Sequence, residues 1–298
     1  MHVLKLLTES LGFSALPQQE SSKELRPVVF WHGMGDTYNS SAMQRVFSTI
    51  HSANPDLFIH SIYINEDESK DQQASLIGNV NDEVEIACAQ LESIPELQNT
   101  QFDFIGFSQG GIFARAAIER CGLDVHTLIT FGSPHAGISD LPRCDDSDWF
   151  CKRKNAILKR QVWKKNVQNS IIAAQFFRDP LDYDNYLENS IFLADVNNER
   201  FEKNMTYVEN LKNLEKLVLV MFSQDETIVP KESAWFYDQD KSSGETIQFK
   251  DTGFFKQDLI GLKHLYDQDK IEFLTIDDRH MAIGDDFLKK ITEKYLGV

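Results

Sequence analysis

The stretch from Phe102 to Ile112, reading FDFIGFSQGGI, constrains the fold more than any other part of this chain. A short apolar, β-rich run ends at Gly106, and a helical pattern through Ile112 to Arg120 begins just beyond it, closed by Gly122. A chain can pass from strand to helix around one residue only where neighbouring side chains are absent. Gly106 and Gly110, two residues before and after Ser108, supply that absence. Such a turn forces the serine into a strained backbone conformation, with its hydroxyl at the carboxyl edge of a sheet. The helix start also aims backbone N–H groups at any anion forming there. The plainer reading is a Gly-Ser-Gly loop without chemistry. The strand–turn–helix setting, and partners in the right order downstream, favour a nucleophile.

The rest of the chain repeats the same grammar. From Pro27 onward, β-rich apolar runs alternate with helical patterns, which predicts βαβ units and a mostly parallel sheet. The runs are 28–32, 57–64, 102–107, 126–131, 217–222 and 271–276. Ile77, Val80, Val84, Ala87 or Cys88, and Leu91 fall on one face of a helix. An amphipathic helix over 285–295 closes the chain. Between about 138 and 210 the β alternation disappears and the chain becomes helical and aromatic, which predicts a cap inserted over one end of the sheet. The fold class expected is therefore α/β, an α/β-hydrolase fold with helices flanking the sheet. Residues 26–298 would form one domain that includes the cap. Residues 1–25 read as an N-terminal segment, a degenerate signal peptide whose apolar run is broken by Glu9 and Ser10.

In this architecture the nucleophile is followed by an acid and then a histidine. Four histidines follow Ser108: His126, His135, His264 and His280. His126 and His135 come before any strand that could supply the acid. His264 lies in a helical stretch expected to face solvent. His280 follows the last strand at its carboxyl end and is the expected base. Asp225, three residues after the 217–222 strand, is the expected acid; Glu226 is its nearest rival, and a turn-capping role is the alternative for Asp225. The oxyanion donors would be the Gln109 amide, next to the nucleophile, and the Met34 amide in the glycine loop after the first strand.

Charge and composition restrict the partners. Acidic residues outnumber basic ones 46 to 30, a net charge of −16 that repels nucleic acid and anionic membranes. No apolar stretch reaches the ~18 residues of a spanning helix. The four cysteines lack a C-x-x-C pair, so a metal site is not expected, and either two disulfides or four thiols fit. The chemistry requires no cofactor. Asn39 and Asn204 open N-x-S/T triplets, glycan acceptors in a secretory protein.

Several stretches go beyond the general motif: Trp31-His-Gly-Met-Gly-Asp36, Gly106-Phe-Ser-Gln-Gly-Gly111, Leu141-Pro-Arg-Cys144, Ser190-Ile-Phe-Leu-Ala-Asp-Val-Asn197 and Glu232-Ser-Ala-Trp-Phe236. Together with Asp225 and His280, they resemble the palmitoyl-protein thioesterase family. The resemblance implies removal of long-chain acyl groups from cysteine thioesters of proteins or peptides, by a Ser108–Asp225–His280 triad with Met34 and Gln109 as oxyanion donors. It further implies the disulfides Cys88–Cys121 and Cys144–Cys151, a glycan at Asn204, and a lysosomal, vacuolar or secreted location. A long acyl chain needs an apolar groove. Trp163, Ile172, Phe176 and Phe177 of the cap, with Ile228, are expected to line it; the alternative is that they form the cap's own core. The rival functions are an oxoester lipase of the same fold and a non-catalytic lipid-binding homologue.

Overall fold

The computed structural model describes residues 25–140 and 159–297. Six strands form one sheet: β1 (Val28–Trp31), β2 (Ile59–Ser61), β3 (Phe102–Phe107), β4 (Val125–Phe131), β5 (Lys216–Phe222) and, after a two-stranded hairpin of β6 (Asp238–Gln239) and β7 (Thr246–Ile247), β8 (Ile271–Ile276). Their order is β2-β1-β3-β4-β5-β8, and every neighbouring pair runs parallel. Parallel strands need crossovers, and the helices that make them cover both faces. That explains why these strands read as near-continuous apolar runs.

Alternate residues serve opposite faces. Val28 and Phe30 join one core with Met43, Phe47 and Ile50 of helix α1 (Ser41–Ala53) and with Leu288 and Ile291 of the C-terminal helix (Asp285–Tyr295). Val29 and Trp31 join the other core. It includes Val84 and Leu91 of α3 (Val80–Glu92), Ile112 and Phe113 of α4 (Gln109–Cys121), and much of the cap. Between β1 and α3, the short helix α2 (Glu68–Ala74) precedes the exposed Ile77. The sequence periodicity put Ile77 on the helix of Val80. Gly78 and the N-cap Asn79, whose side chain accepts from the Asn81 amide at 3.0 Å, start the helix after it instead. The apolar run 57–64 likewise contributes only three residues of strand, because β2 is the sheet edge and pairs on one side alone.

Cys88 on α3 and Cys121 at the end of α4 form a disulfide, with Cα atoms 6.3 Å apart. Closing that loop constrains the unfolded chain by about 2–4 kcal/mol. The second cysteine pair, Cys144 and Cys151, lies outside the described residues, as does the Leu141–Cys144 motif.

Between β4 and β5, the described part of the insertion consists of short helices at Lys165–Gln168, Ile172–Gln175, Tyr183–Asn189, Leu193–Val196 and Met205–Lys212. Among the described residues, no helix is long and apolar enough to cross a membrane.

Candidate active site

The strand order reverses at β1: the chain moves outward to β2, then returns to β3 on the other side. Loops leaving β1 and β3 therefore diverge over a crevice at their carboxyl ends, where open α/β sheets bind ligands. Trp31 pairs with Gly106, so the 32–36 loop and Ser108 emerge side by side.

Ser108 has φ 52° and ψ −124°, outside the regions open to most residues. Its amide donates to the Phe131 carbonyl of β4 at 2.8 Å, which ties the turn to the sheet. Glycines make the turn feasible. A Cβ on Gly106 would lie 2.3 Å from the Gly111 Cα, and one on Gly110 would lie 2.3 Å from the Trp31 carbonyl oxygen. Backbone, and not flexible side chain, occupies that space.

His280 reaches the serine from the loop after β8. Its Nε2 lies 3.0 Å from the Ser108 Oγ, and its Nδ1 lies 2.6 Å from Asp225 Oδ2. An ionised carboxylate only accepts, so Nδ1 carries the proton and Nε2 faces the serine hydroxyl as acceptor. Gly132 makes room for the ring, since a Cβ there would meet the His280 Cε1 at 3.1 Å. Asp225 divides its work between two oxygens. Oδ1 accepts from the Thr227 and Ile228 amides at 2.8 and 2.9 Å, while Oδ2 faces the imidazole. Turn capping and histidine orientation, alternatives in the sequence, coexist on one carboxylate. Glu226 is exposed.

Gln109 is the first residue of α4, so its amide has no acceptor within the helix. Its buried side chain donates to the Ser75 carbonyl at 2.9 Å. The Met34 amide makes no hydrogen bond among the described residues, and the loop carrying it is braced on both sides. The Gly35 amide donates to Ser75 Oγ at 2.8 Å; His32 Nε2 lies 3.0 Å from Asp71 Oδ2, and the same oxygen accepts from the Tyr38 amide at 3.0 Å. Burial alone would raise the Asp71 carboxyl. The hydrogen bond and charge of His32, with the Tyr38 and Ile64 amides, hold it below the usual carboxylate range. Sequence reasoning missed Asp71 and Ser75 because they sit in the polar stretch ESKDQQAS, which carries no local sign of burial.

The family model for palmitoyl protein thioesterase matches residues 27–280, from the residue before β1 to the histidine at the serine. The chain belongs to the palmitoyl protein thioesterase family. It is 34% identical over 299 residues to palmitoyl-protein thioesterase 1 of Caenorhabditis elegans, covering 99% of each chain. It is 33% identical to palmitoyl-protein thioesterase 3 of Dictyostelium discoideum over 86% of this chain and 85% of that one. Lysosomal thioesterase PPT2-B of Xenopus laevis is 31% identical over 54% of this chain and 56% of its own. As a member of this family the chain is a hydrolase of the thioesterase type, on an α/β-hydrolase fold.

The remaining expected site residues of this thioesterase-family chain fall in several places. Ile172, Phe176 and Phe177 are buried in the core with Tyr186 and Phe192, and Trp163 packs edge-on against Phe177 at 5.8 Å. They fill the cap's interior and do not line the cavity beside Ser108. The cap's helices are short and turn inward, so its large aromatic rings meet one another. Ile228 is buried on the far side of Asp225, in a polar hollow with Gln224 and Lys231. Of the discounted histidines, His135 is wholly buried, lying 2.9 Å from Thr130 Oγ1 and stacked on Phe236. His264 is half-buried, on a helix that Leu262 and Leu265 hold against the core. Asn39 and Asn204 are both exposed; Asn204 caps the Met205–Lys212 helix by accepting from the Thr206 amide at 3.0 Å.

The cavity that does touch Ser108 has a volume of about 300 Å³. It opens at Ser108, Met34 and His280, and runs between α1 and the C-terminal helix.

Proposed function

We propose that this chain is a palmitoyl-protein thioesterase that removes long-chain acyl groups from cysteine thioesters of proteins or peptides. The observation that carries the reading is the continuous line Asp225–His280–Ser108, with contacts of 2.6 and 3.0 Å, on a strained serine at the start of α4. Ser108 Oγ attacks the thioester carbonyl carbon while His280 Nε2 takes its proton. Asp225 steadies the imidazolium. The Met34 and Gln109 amides receive the oxyanion. The carbon–sulfur bond then breaks, and the cysteine sulfur leaves with the proton held by His280. Water, deprotonated by the same nitrogen, attacks the acyl-serine; the proton passes from His280 to the Ser108 oxygen as the acyl–oxygen bond breaks, and the fatty acid departs and loses its own proton to solvent. A thiol of pKa about 8.5 is a good leaving group, so oxyanion stabilisation matters more than leaving-group protonation.

The location we propose is the lysosome or vacuole, or outside the cell. The Cys88–Cys121 disulfide suits an oxidising compartment, a relative named as a lysosomal thioesterase supports the same direction, and Asn204 and Asn39 would be the glycan acceptors.

Turnover of a palmitoyl-cysteine peptide and of the matching serine oxoester, by wild type and by Ser108→Ala, tests the reading. The expected result is faster thioester hydrolysis by wild type and a loss of at least about a thousandfold in the variant. Equal rates in the two proteins would reject Ser108. Faster oxoester hydrolysis would make the protein a lipase.

A further inference from the structure

Away from the catalytic line, Phe201 is 99% exposed, the only aromatic ring among the large apolar side chains that the described residues leave to solvent. Among those residues it meets no other ring and no cation. Its loop is nevertheless braced. The Asn198 side chain closes it, accepting from the Asn204 amide at 2.8 Å and donating to the Asn204 carbonyl at 2.9 Å. Glu199 anchors its start by accepting from Arg178 at 2.8 Å and Tyr183 at 3.1 Å, and Lys203 donates to the Asn198 carbonyl at 2.7 Å. A single exposed apolar residue needs no explanation by itself. The register of this one does.

Phe201 stands three residues before Asn204, in the run Phe201-Glu-Lys-Asn-Met-Thr206, every residue of which is exposed. Asn204 opens the N-x-T triplet. Its Oδ1 accepts from the Thr206 amide at 3.0 Å, while Nδ2, the atom that would carry a sugar, has no partner among the described residues. We propose that the first N-acetylglucosamine on Asn204 packs its apolar face on the Phe201 ring, so that the chain carries a receptor for its own glycan. The inference rests on the secretory location proposed above and adds what the sugar binds. In the attachment step, Asn204 Nδ2 bonds to C1 of the sugar of a lipid-pyrophosphate oligosaccharide. The bond from C1 to the pyrophosphate oxygen breaks, and the nitrogen loses its proton to a base on the transferase.

Three residues span at most about 10 Å, within the combined reach of a linked hexosamine and a phenylalanine ring. One face of a pyranose presents C–H bonds of slight positive charge, which suit the negative face of an aromatic ring. Stacking also takes apolar surface of both partners out of water. The other triplet lacks these features: Asp36 stands three residues before Asn39, whose Nδ2 already donates to Glu68 at 3.1 Å. A bilayer suits Phe201 less well, because Glu202, Lys203 and Asn204 are exposed beside it and would be desolvated with it.

Thermal unfolding of the full chain, secreted from a eukaryotic host, tests the stack as a double-mutant cycle. Thr206→Ala removes the glycan and Phe201→Ala removes the ring; both positions are exposed. Phe201→Ala should lower Tm by about 2 °C or more in glycosylated protein, and by less than about 0.5 °C in the Thr206→Ala background. Phe201→Tyr should keep the wild-type value. In NMR spectra, the ring current should shift protons of the first sugar upfield in wild type and Phe201→Tyr, and not in Phe201→Ala. Secreted chain with Asn204 unmodified, equal Tm losses with and without the glycan, or sugar signals unmoved by Phe201→Ala would overturn the stack alone. Chain that stays outside the secretory pathway, with Asn204 bare, would overturn the proposed location and the stack together. If Phe201→Ala abolishes binding of the Thr206→Ala protein to phosphatidylcholine vesicles, the ring belongs to a bilayer and the stack is rejected.

Discussion

The strand–turn–helix around Ser108 and the cap from Lys159 to Lys212 are both well buried, yet opposite means hold them. Around the serine, packing depends on side chains that are missing. Gly110 lets the first turn of α4 rest on the carbonyls of Trp31 and His32, and Gly106 lets strand and helix touch. In the cap, packing depends on polar side chains that reach in. Gln168 donates to the Val162 and Ala174 carbonyls at 2.9 and 2.7 Å. Gln175 docks the cap onto the start of α3, accepting from the Val80 amide at 2.8 Å and donating to the Gly78 carbonyl at 2.9 Å. Arg178 lies between Glu199 and Asp238, with Tyr186 donating to the same Glu199. Backbone contact positions the reacting atoms, which tolerate little displacement. Side-chain contact holds a cover whose short helices could not be stable alone.

The largest effect is expected where the cap's charge network is cut. Arg178→Met leaves the buried Glu199 and Asp238 carboxylates unpaired and should destabilise the protein by about 3–5 kcal/mol in denaturant unfolding. A cost under about 1 kcal/mol would mean that the cap stands on its aromatic packing. Next comes Gly110→Ala. Its Cβ must displace the end of β1, so kcat/KM should fall about 100-fold or more. Near-normal activity would show that the elbow yields as readily as a side chain.

A smaller effect is expected at the seam between the two regions. Burial beside Asp71 and Asp82 pushes the Glu83 carboxyl from 4.5 up to about 8. Folding therefore favours its protonated form. The associated stability is complete below pH 4.5 and is lost as pH rises toward 8. Glu83→Gln should flatten that slope and raise stability at pH 8, read as Tm against pH. Parallel profiles for the two proteins would remove Glu83 as its source.

The same contrast explains what was legible in the sequence. The elbow could be read because a glycine pattern between an apolar run and a helical one reports backbone geometry directly. His280 and Asp225 followed from their places after β8 and β5. The cap's aromatic residues could be recognised as apolar but not assigned a destination. Whether Phe177 faces a ligand or Tyr186 depends on how short helices fold back, which periodicity does not encode. Asp71 was invisible for a related reason: its burial comes from a long-range contact with His32, and the residues around it read as solvent-facing. The Ser108 hollow was missed because its walls come from helices 240 residues apart in the chain, each of which reads alone as an ordinary amphipathic helix.

The most direct test is to quench wild-type protein while it turns over a palmitoyl-cysteine peptide and to map the acyl group by mass spectrometry. The prediction is a palmitoyl ester on Ser108, absent when that residue is alanine. Rapid thioester hydrolysis with Ser108 never acylated, or with the acyl group on another side chain, would contradict the account.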